Sequence, residues 1–262
     1  MRTDEFMADF RVHARLNTGA AGDEEVVKQA YMTLPPSVGI PSIAPSCFSC
    51  FDYTNGLADL VVGYMGAPFD ANADEMTSAP LMVTVRNPRG QEMLDAAVAK
   101  GTVAILQDGG YGGRELPSTG SRAVLTMKTV AADSMVKSLL DPDFVAGDAG
   151  APPLIGNALA QLIRRGLPTG LEFARFSIDY HYLRNALYVE RRMGRLRADR
   201  HIPAYATALM RNYEPEMAKL RREAETEGTG EEGAGDRDRG MDDVAASFRA
   251  WKRVVEELLL LQ

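Results

Sequence analysis

A run of apolar side chains between Leu171 and Leu196 limits the fold more than any other feature of this sequence. Leu171, Ala174, Ile178, Tyr182, Ala186, Val189, Met193 and Leu196 recur at steps of three or four, which puts them on one stripe of a long helix. A helix of that length has to bury its stripe, so the rest of the chain must supply a surface for it. Helical character begins near Gly166. A second stripe, Val244, Phe248, Trp251, Val255 and Leu258, predicts an amphipathic tail helix over 241–262 with Asp242 or Asp243 as N-cap. Between the two, residues 223–240 carry Glu, Gly, Thr and Asp but no large apolar side chain. Such a segment cannot offset its ordering entropy, so a disordered acidic linker is expected there after a single domain over 1–222.

The N-terminal part reads differently. Residues 5–16, with Phe6, Phe10 and Val12 among polar neighbours, predict a strand before a Gly-rich turn at 19–22. The Pro-rich passage from Leu34 to Pro45 is expected to be irregular, because proline removes a backbone donor and fixes φ. Ala58–Val62 and Leu81–Val85 read as buried strands, and Gln91–Lys100 as a helix stopped by Gly101. Thr102–Leu106 reads as a further strand. That order predicts an α/β domain, a mixed sheet with helices, followed by the long helix and the linker.

Composition excludes several classes. The 262 residues are 45% hydrophobic and 25% charged, as in a globular domain. A net charge of −7 gives no global case for binding nucleic acid or an anionic membrane. No apolar run approaches the roughly 18 residues of a membrane span, so the chain is not expected to be transmembrane. The opening Met1-Arg2-Thr3-Asp4-Glu5-Phe6 lacks the apolar centre of a signal peptide and carries acids that transit peptides avoid.

The two cysteines, Cys47 and Cys50, form one C-x-x-C pair. Two thiolates at this spacing reach a single soft metal or cluster, and an iron–sulfur cluster usually takes four such ligands. A redox dithiol is a second reading, although the Pro-rich approach and the aromatic Phe48 fit it poorly. A zinc half-site is a third, but no second C-x-x-C or paired histidines complete it. Two incidental buried cysteines are a fourth.

The flanking residues add a resemblance. Cys47-Phe48-Ser49-Cys50-Phe51-Asp52-Tyr53-Thr54-Asn55, followed by Ala58-Asp59-Leu60-Val61-Val62-Gly63-Tyr64-Met65-Gly66, resembles the C-terminal domain of the family named for the beta subunit of deazaflavin-reducing hydrogenases. Within that family the similarity points to the members that reduce chlorophyll-type pigments. It continues through Val83-Thr84-Val85-Arg86-Asn87 with Arg89-Gly90, and returns from Gly170 to Asn185. It persists more weakly at His201-Ile202-Pro203-Ala204-Tyr205-Ala206. Linker and tail helix fall outside it. The resemblance implies the C-terminal part of an iron–sulfur flavoprotein oxidoreductase with FAD, [4Fe-4S] clusters, reduced ferredoxin as donor and a chloroplast location. The reaction implied is reduction of the 7-hydroxymethyl group of 7-hydroxymethyl chlorophyll a, or alternatively of the 8-vinyl group of a divinyl chlorophyllide.

Cys47 and Cys50 stand where the family places two ligands of one cluster. The remaining ligands and much of the flavin pocket come, in that family, from segments N-terminal to the matched part. The chain by itself is therefore expected to be inactive. A truncated gene model is the simplest account, a split enzyme a second, and a homo-oligomer sharing one cluster between two cysteine pairs a third. An inactive fragment serving as an interaction module is the contrasting expectation.

For the flavin, Asp59 precedes a buried strand, and Gly63 and Gly66 flank Tyr64-Met65, where missing side chains allow close approach or simply a turn. Asn55, Thr84 and Arg86 are further flavin candidates, Arg86 as a cation near an anionic reduced ring. On the long helix, Arg175 with Asp179 and His181 with Asn185 stand at i,i+4. They read either as a charged outer face or as groups that shape the pigment pocket and deliver a proton. Arg191, Arg192, Arg195, Arg197 and Arg200 concentrate positive charge, as a docking point for acidic ferredoxin or a pigment carboxylate, or as a solvated helix end.

Overall fold

Strand and helix formation in this chain divides at the cysteine pair, with small sheets on either side of it and a helical body after them. The computed structural model describes residues 11–17, 24–67, 80–106, 118–141 and 151–227. Strands β1 (Arg11–Asn17) and β2 (Glu24–Ala30) pair antiparallel, from Arg11 opposite Ala30 to Asn17 opposite Glu24. The strand expected over 5–16 is thus present from Arg11, and its first positions and the turn at 19–22 lie outside the described residues. Helix α1 (Pro36–Gly39) is a single turn inside the passage expected to be irregular, and helix α2 (Pro45–Phe48) is another that starts at its last residue. Each begins on a proline at its first position, where the missing N–H has no intrahelical partner to lose.

Strands β3 (Leu60–Gly63) and β4 (Met82–Val85) also pair antiparallel, Leu60 opposite Val85 and Gly63 opposite Met82. Helix α3 (Pro88–Ala99) starts three residues earlier than its apolar pattern, because Asn87 caps it through a bond from Gly90 N at 3.0 Å and Pro88 fits the first turn. At its end Gly101 N donates to Val98 O and Thr102 N to Ala97 O, with Gly101 at φ +71°. This glycine stop turns the chain away, and the strand expected at Thr102–Leu106 does not form. That segment stays irregular, with Ile105 and Leu106 exposed. The α/β class holds, but each sheet among the described residues is a separate antiparallel pair.

The helical body comprises α4 (Thr119–Ala132), α5 (Ser134–Leu140), α6 (Pro153–Gly166), α7 (Gly170–Met193), α8 (Arg195–His201), α9 (Ala204–Met210) and α10 (Glu214–Glu227), with a 3-10 turn at Arg211–Tyr213. Helix α7 is the axis, packed against α2, α4, α5, α8 and α9. Its stripe ends where Gly194, at φ +78°, breaks the helix. Leu196 consequently leaves the stripe and is 83% exposed. Leu183 and Leu187 are fully buried with Val130 and Val136, each such side chain contributing about 1.5–3 kcal/mol. Helix α10 runs through Glu227, so the first five positions of the stretch expected as linker are helical. The remainder of that stretch and the tail helix expected over 241–262 lie outside the described residues. No helix among the described residues is long and apolar enough to cross a membrane.

Candidate functional site

The loop Cys47-Phe48-Ser49-Cys50-Phe51 sorts its side chains by direction. Phe48 and Phe51 are buried, whereas Cys47 and Cys50 are free thiols exposed on the surface. Phe48 enters the core beside Leu183 and Leu187 and packs on the Tyr188 ring at 5.4 Å, with the Arg184 guanidinium 5.1 Å from its centroid. Phe51 enters a second cluster with Tyr182, Ala186 and Val189. The two phenylalanines therefore anchor the loop on either side of α7 while both thiols face out, which excludes the reading of two incidental buried cysteines.

The backbone of the loop is held as well. Asn185, 3% exposed, donates from its one amide nitrogen to Cys47 O at 3.2 Å and to Cys50 O at 2.7 Å. His201 Nε2 donates to Ser49 O at 2.7 Å, and Tyr205 Oη donates to Phe51 O at 2.9 Å. Burial first, then the neighbouring Tyr205, pushes the Tyr182 hydroxyl up to about 12. Four carbonyls of five consecutive residues are thus fixed by side chains of α7, α8 and α9.

His181 and Ser177 continue the same face of α7. Ser177, His181 and Asn185 stand at i, i+4 and i+8, and all three meet the loop or the residues just after it. Tyr53 bonds Ser177 Oγ at 3.0 Å and stacks on the His181 ring at 4.2 Å. Burial, aided by the Arg184 charge, pushes His181 down to about 4, and its Nδ1 donates to Ser177 O at 2.6 Å. The neutral ring holds its Nδ1 proton against the Ser177 carbonyl, and no described contact supports the proton-delivery reading of His181.

Asp179 is buried as well, which corrects the reading of a charged outer face. Tyr213 Oη donates to its Oδ2, and Arg122 Nε lies 3.5 Å from the same oxygen. Burial raises the Asp179 carboxyl, opposed by these two partners. Arg175 pairs with Glu172 at 3.3 Å instead of with Asp179, and Glu172 also receives Arg122 at 2.8 Å. The cluster ties α4 to α7 and the 3-10 turn.

The flavin candidates separate into two groups. Asp59 accepts Asn87 Nδ2 at 2.6 Å and Arg89 Nε at 2.9 Å, and these bonds hold its carboxyl below the usual range. Gly90 lets α3 approach that corner, since a Cβ there would stand 2.1 Å from Asp59 O. Asn55 adopts φ +51° within a turn, and Arg86 reaches back to Thr54 O at 2.5 Å. Gly66, at φ +84°, is buried, and a Cβ there would be 3.1 Å from Leu171 Cδ2. Packing and turn geometry account for these four. Gly63 and Thr84 differ: by register they share a face of the β3–β4 pair, Thr84 is exposed, and a Cβ on Gly63 would meet nothing within 4 Å among the described residues.

The donor chemistry fits an iron–sulfur cluster in half. Two exposed thiols on a pinned turn offer two soft ligands. Among the described residues no group of three or more His, Cys, Asp or Glu could hold a metal ion. Sequence reasoning missed the loop's supports, Asn185, His201 and Tyr205. The resemblance ran through their segments, but nothing local joined residues about 150 positions apart in contact such as His201 with Ser49.

Residues 8–107 match the C-terminal family model of the coenzyme F420 hydrogenase/dehydrogenase beta subunit, which bears out the resemblance carried by the cysteine and strand motifs. Over 210 residues the chain is 43% identical to the chloroplastic 7-hydroxymethyl chlorophyll a reductase of Oryza sativa subsp. japonica, across 80% of this chain and 40% of that protein. An uncharacterized protein of Nostoc sp. is 34% identical over 209 residues, across 80% of this chain and 43% of its own length. The chain thus spans about two fifths of the length of these curated relatives.

Proposed function

We propose that the chain is the C-terminal part of an iron–sulfur flavoprotein oxidoreductase of the chloroplast. It would reduce 7-hydroxymethyl chlorophyll a to chlorophyll a with electrons from reduced ferredoxin. The observation that carries this reading is the outward-facing, backbone-pinned Cys47/Cys50 pair, in a chain 43% identical to the Oryza sativa reductase over four fifths of its length. The pigment's hydroxymethyl C–O bond breaks, a C–H bond forms, and two electrons with two protons yield a methyl group and water. FAD supplies the pairing of single electrons that clusters deliver one at a time. Cys47 and Cys50 would supply two of the thiolate ligands of a [4Fe-4S] cluster. Gly63 and Thr84 present a face open enough for a flavin, and Arg86, fixed on Thr54 O, brings positive charge to the end of that face.

The test is anaerobic expression of a complete version of the protein, of the length of the curated relatives, with iron, sulfide and FAD, as wild type and with Cys47→Ser and Cys50→Ser. Each variant is expected to lose the iron and sulfide of one cluster. Equal iron in all three overturns the ligand assignment. Sedimentation of the 262-residue chain with iron and sulfide identifies a homo-oligomer that pools four thiolates from two copies. Turnover of 7-hydroxymethyl chlorophyll a by the complete version, run beside a divinyl chlorophyllide, decides the pigment.

A further inference from the structure

Five arginines stand at the end of α7 and on α8, and α8 is the helix that reaches the cysteine loop through His201. Arg191, Arg192, Arg195, Arg197 and Arg200 are all exposed, and none forms an ion pair among the described residues. The same α8 touches the loop, because its last residue His201 donates to Ser49 O between the two cysteines. Arg197 stands four residues before His201, on the same face of the helix and one turn from that contact. Asp199 is the only acid on α8. Guanidinium groups that hold no described neighbour in place are surplus to the fold, and the chain around them carries net charge −7.

We propose that this arginine surface docks an acidic protein that delivers single electrons to the cluster edge at Cys47 and Cys50; the identity of the cargo rests on the reading above. Breadth argues for a protein partner. Arg195, Arg197 and Arg200 span roughly 7.5 Å along α8 at the helical rise, and Arg191 and Arg192 add two cations before the Gly194 break, a spread suited to an acidic face more than to one carboxylate. Charge arranged in this way steers encounter and sets orientation, and it weakens as salt shortens the Debye length from about 30 Å at 0.01 M to about 8 Å at physiological strength. Docking on the helix whose His201 bonds Ser49 O, between the two cysteines, brings the carrier to where electrons enter.

The probe is a plant-type ferredoxin titrated calorimetrically against the full chain at low and physiological salt. Arg197→Glu with Arg200→Glu is expected to weaken binding at least tenfold at low salt and to flatten the salt dependence. Arg165→Glu with Lys100→Glu, an equal charge change on exposed positions of α6 and beyond α3, is expected to leave it within twofold. The milder Arg197→Gln serves if the reversed pair fails to fold, and should weaken binding severalfold. Absent binding by the wild-type chain at low salt, or equal loss in both pairs, overturns the proposal. So does a reversed pair that binds ferredoxin normally but raises KM for a carboxylated pigment. Dithionite-driven pigment turnover by a complete version of the protein keeps the two readings apart. If it proceeds while ferredoxin fails to dock, the surface assignment falls and the enzyme reading stands. Arginine-dependent docking on a chain that binds neither iron nor flavin leaves the surface assignment standing and removes the enzyme reading.

Discussion

Replacing Asn185 by leucine removes the group that sets the spacing of the two cysteine carbonyls while keeping nearly the same volume. The wild-type amide makes bonds of 3.2 and 2.7 Å to Cys47 O and Cys50 O, and a hydrogen bond of this kind contributes about 0.5–1.5 kcal/mol net. The longer bond belongs near the low end and the shorter near the high end, so Asn185→Leu should cost about 2 kcal/mol with little cavity cost. Asn185→Asp should cost more, since it aims carboxylate oxygens at two carbonyls and buries a charge. Urea unfolding gives the stability change. A monosubstituted trivalent arsenical, which bonds two thiolates of one protein, reads thiol preorganisation without any cluster. Leucine should lower arsenical affinity several-fold below the denaturation midpoint, whereas an exposed substitution of matched stability cost should not. Wild-type stability with wild-type arsenical affinity would refute the clamp.

Phe51→Ala, at a side chain 6% exposed, should cost about 3–5 kcal/mol and shift the urea midpoint accordingly; a change below about 1 kcal/mol would mean the ring does not anchor the loop. His181→Gln should alter the acid limb of stability. The unfolded histidine binds a proton near pH 6.5, while the native one resists to about 4, so stability rises as pH rises across that window, by roughly 3 kcal/mol in full. Wild type and variant showing the same difference in urea midpoint between about pH 4.5 and 7 would contradict this. A Cβ at Gly63 meets no described atom within 4 Å, so Gly63→Val in a complete version of the protein should fold yet lower FAD occupancy; full occupancy would remove Gly63 from the flavin face.

Legibility in the sequence follows the range of the interaction. The long helix is readable because its stripe is a local pattern, and α7 carries it from Leu171 to Met193. Its end falls one stripe position earlier than the pattern implies, as Gly194 looks like any tolerated glycine until its positive φ is seen. Thr102–Leu106 misleads because an apolar run says nothing of whether a partner strand is available. Helices α4 and α5 escape the apolar pattern although their caps are written in the chain: Ser118 accepts Ser121 N at 3.1 Å and Asp133 accepts Met135 N at 2.7 Å. At the site, spacing alone leaves the cysteines with several readings, and the residues around them single out the cluster reading only through the family resemblance. Asn185 is not legible, since a polar residue between apolar ones reads as solvent-facing, whereas α7 is buried on several sides and directs its polar groups at specific partners.

For the proposed role of Cys47 and Cys50 as cluster ligands, the interleaving of cysteine and phenylalanine separates two properties that a metal-binding loop would otherwise trade against each other. In Cys47-Phe48-Ser49-Cys50-Phe51 each cysteine is followed by the residue that anchors it, so the thiols need no burial of their own. Exposed thiols stay available to ligands carried elsewhere, and buried rings with backbone clamps hold the turn before any metal arrives. A loop fixed only by its metal would be ordered by binding and would lose affinity to the entropy of that ordering. Here Asn185, His201 and Tyr205 meet that cost during folding, from three different helices. The quantity held fixed is the position of the loop backbone, and α7 determines it by carrying Ser177, His181 and Asn185 on one face and the core leucines on another.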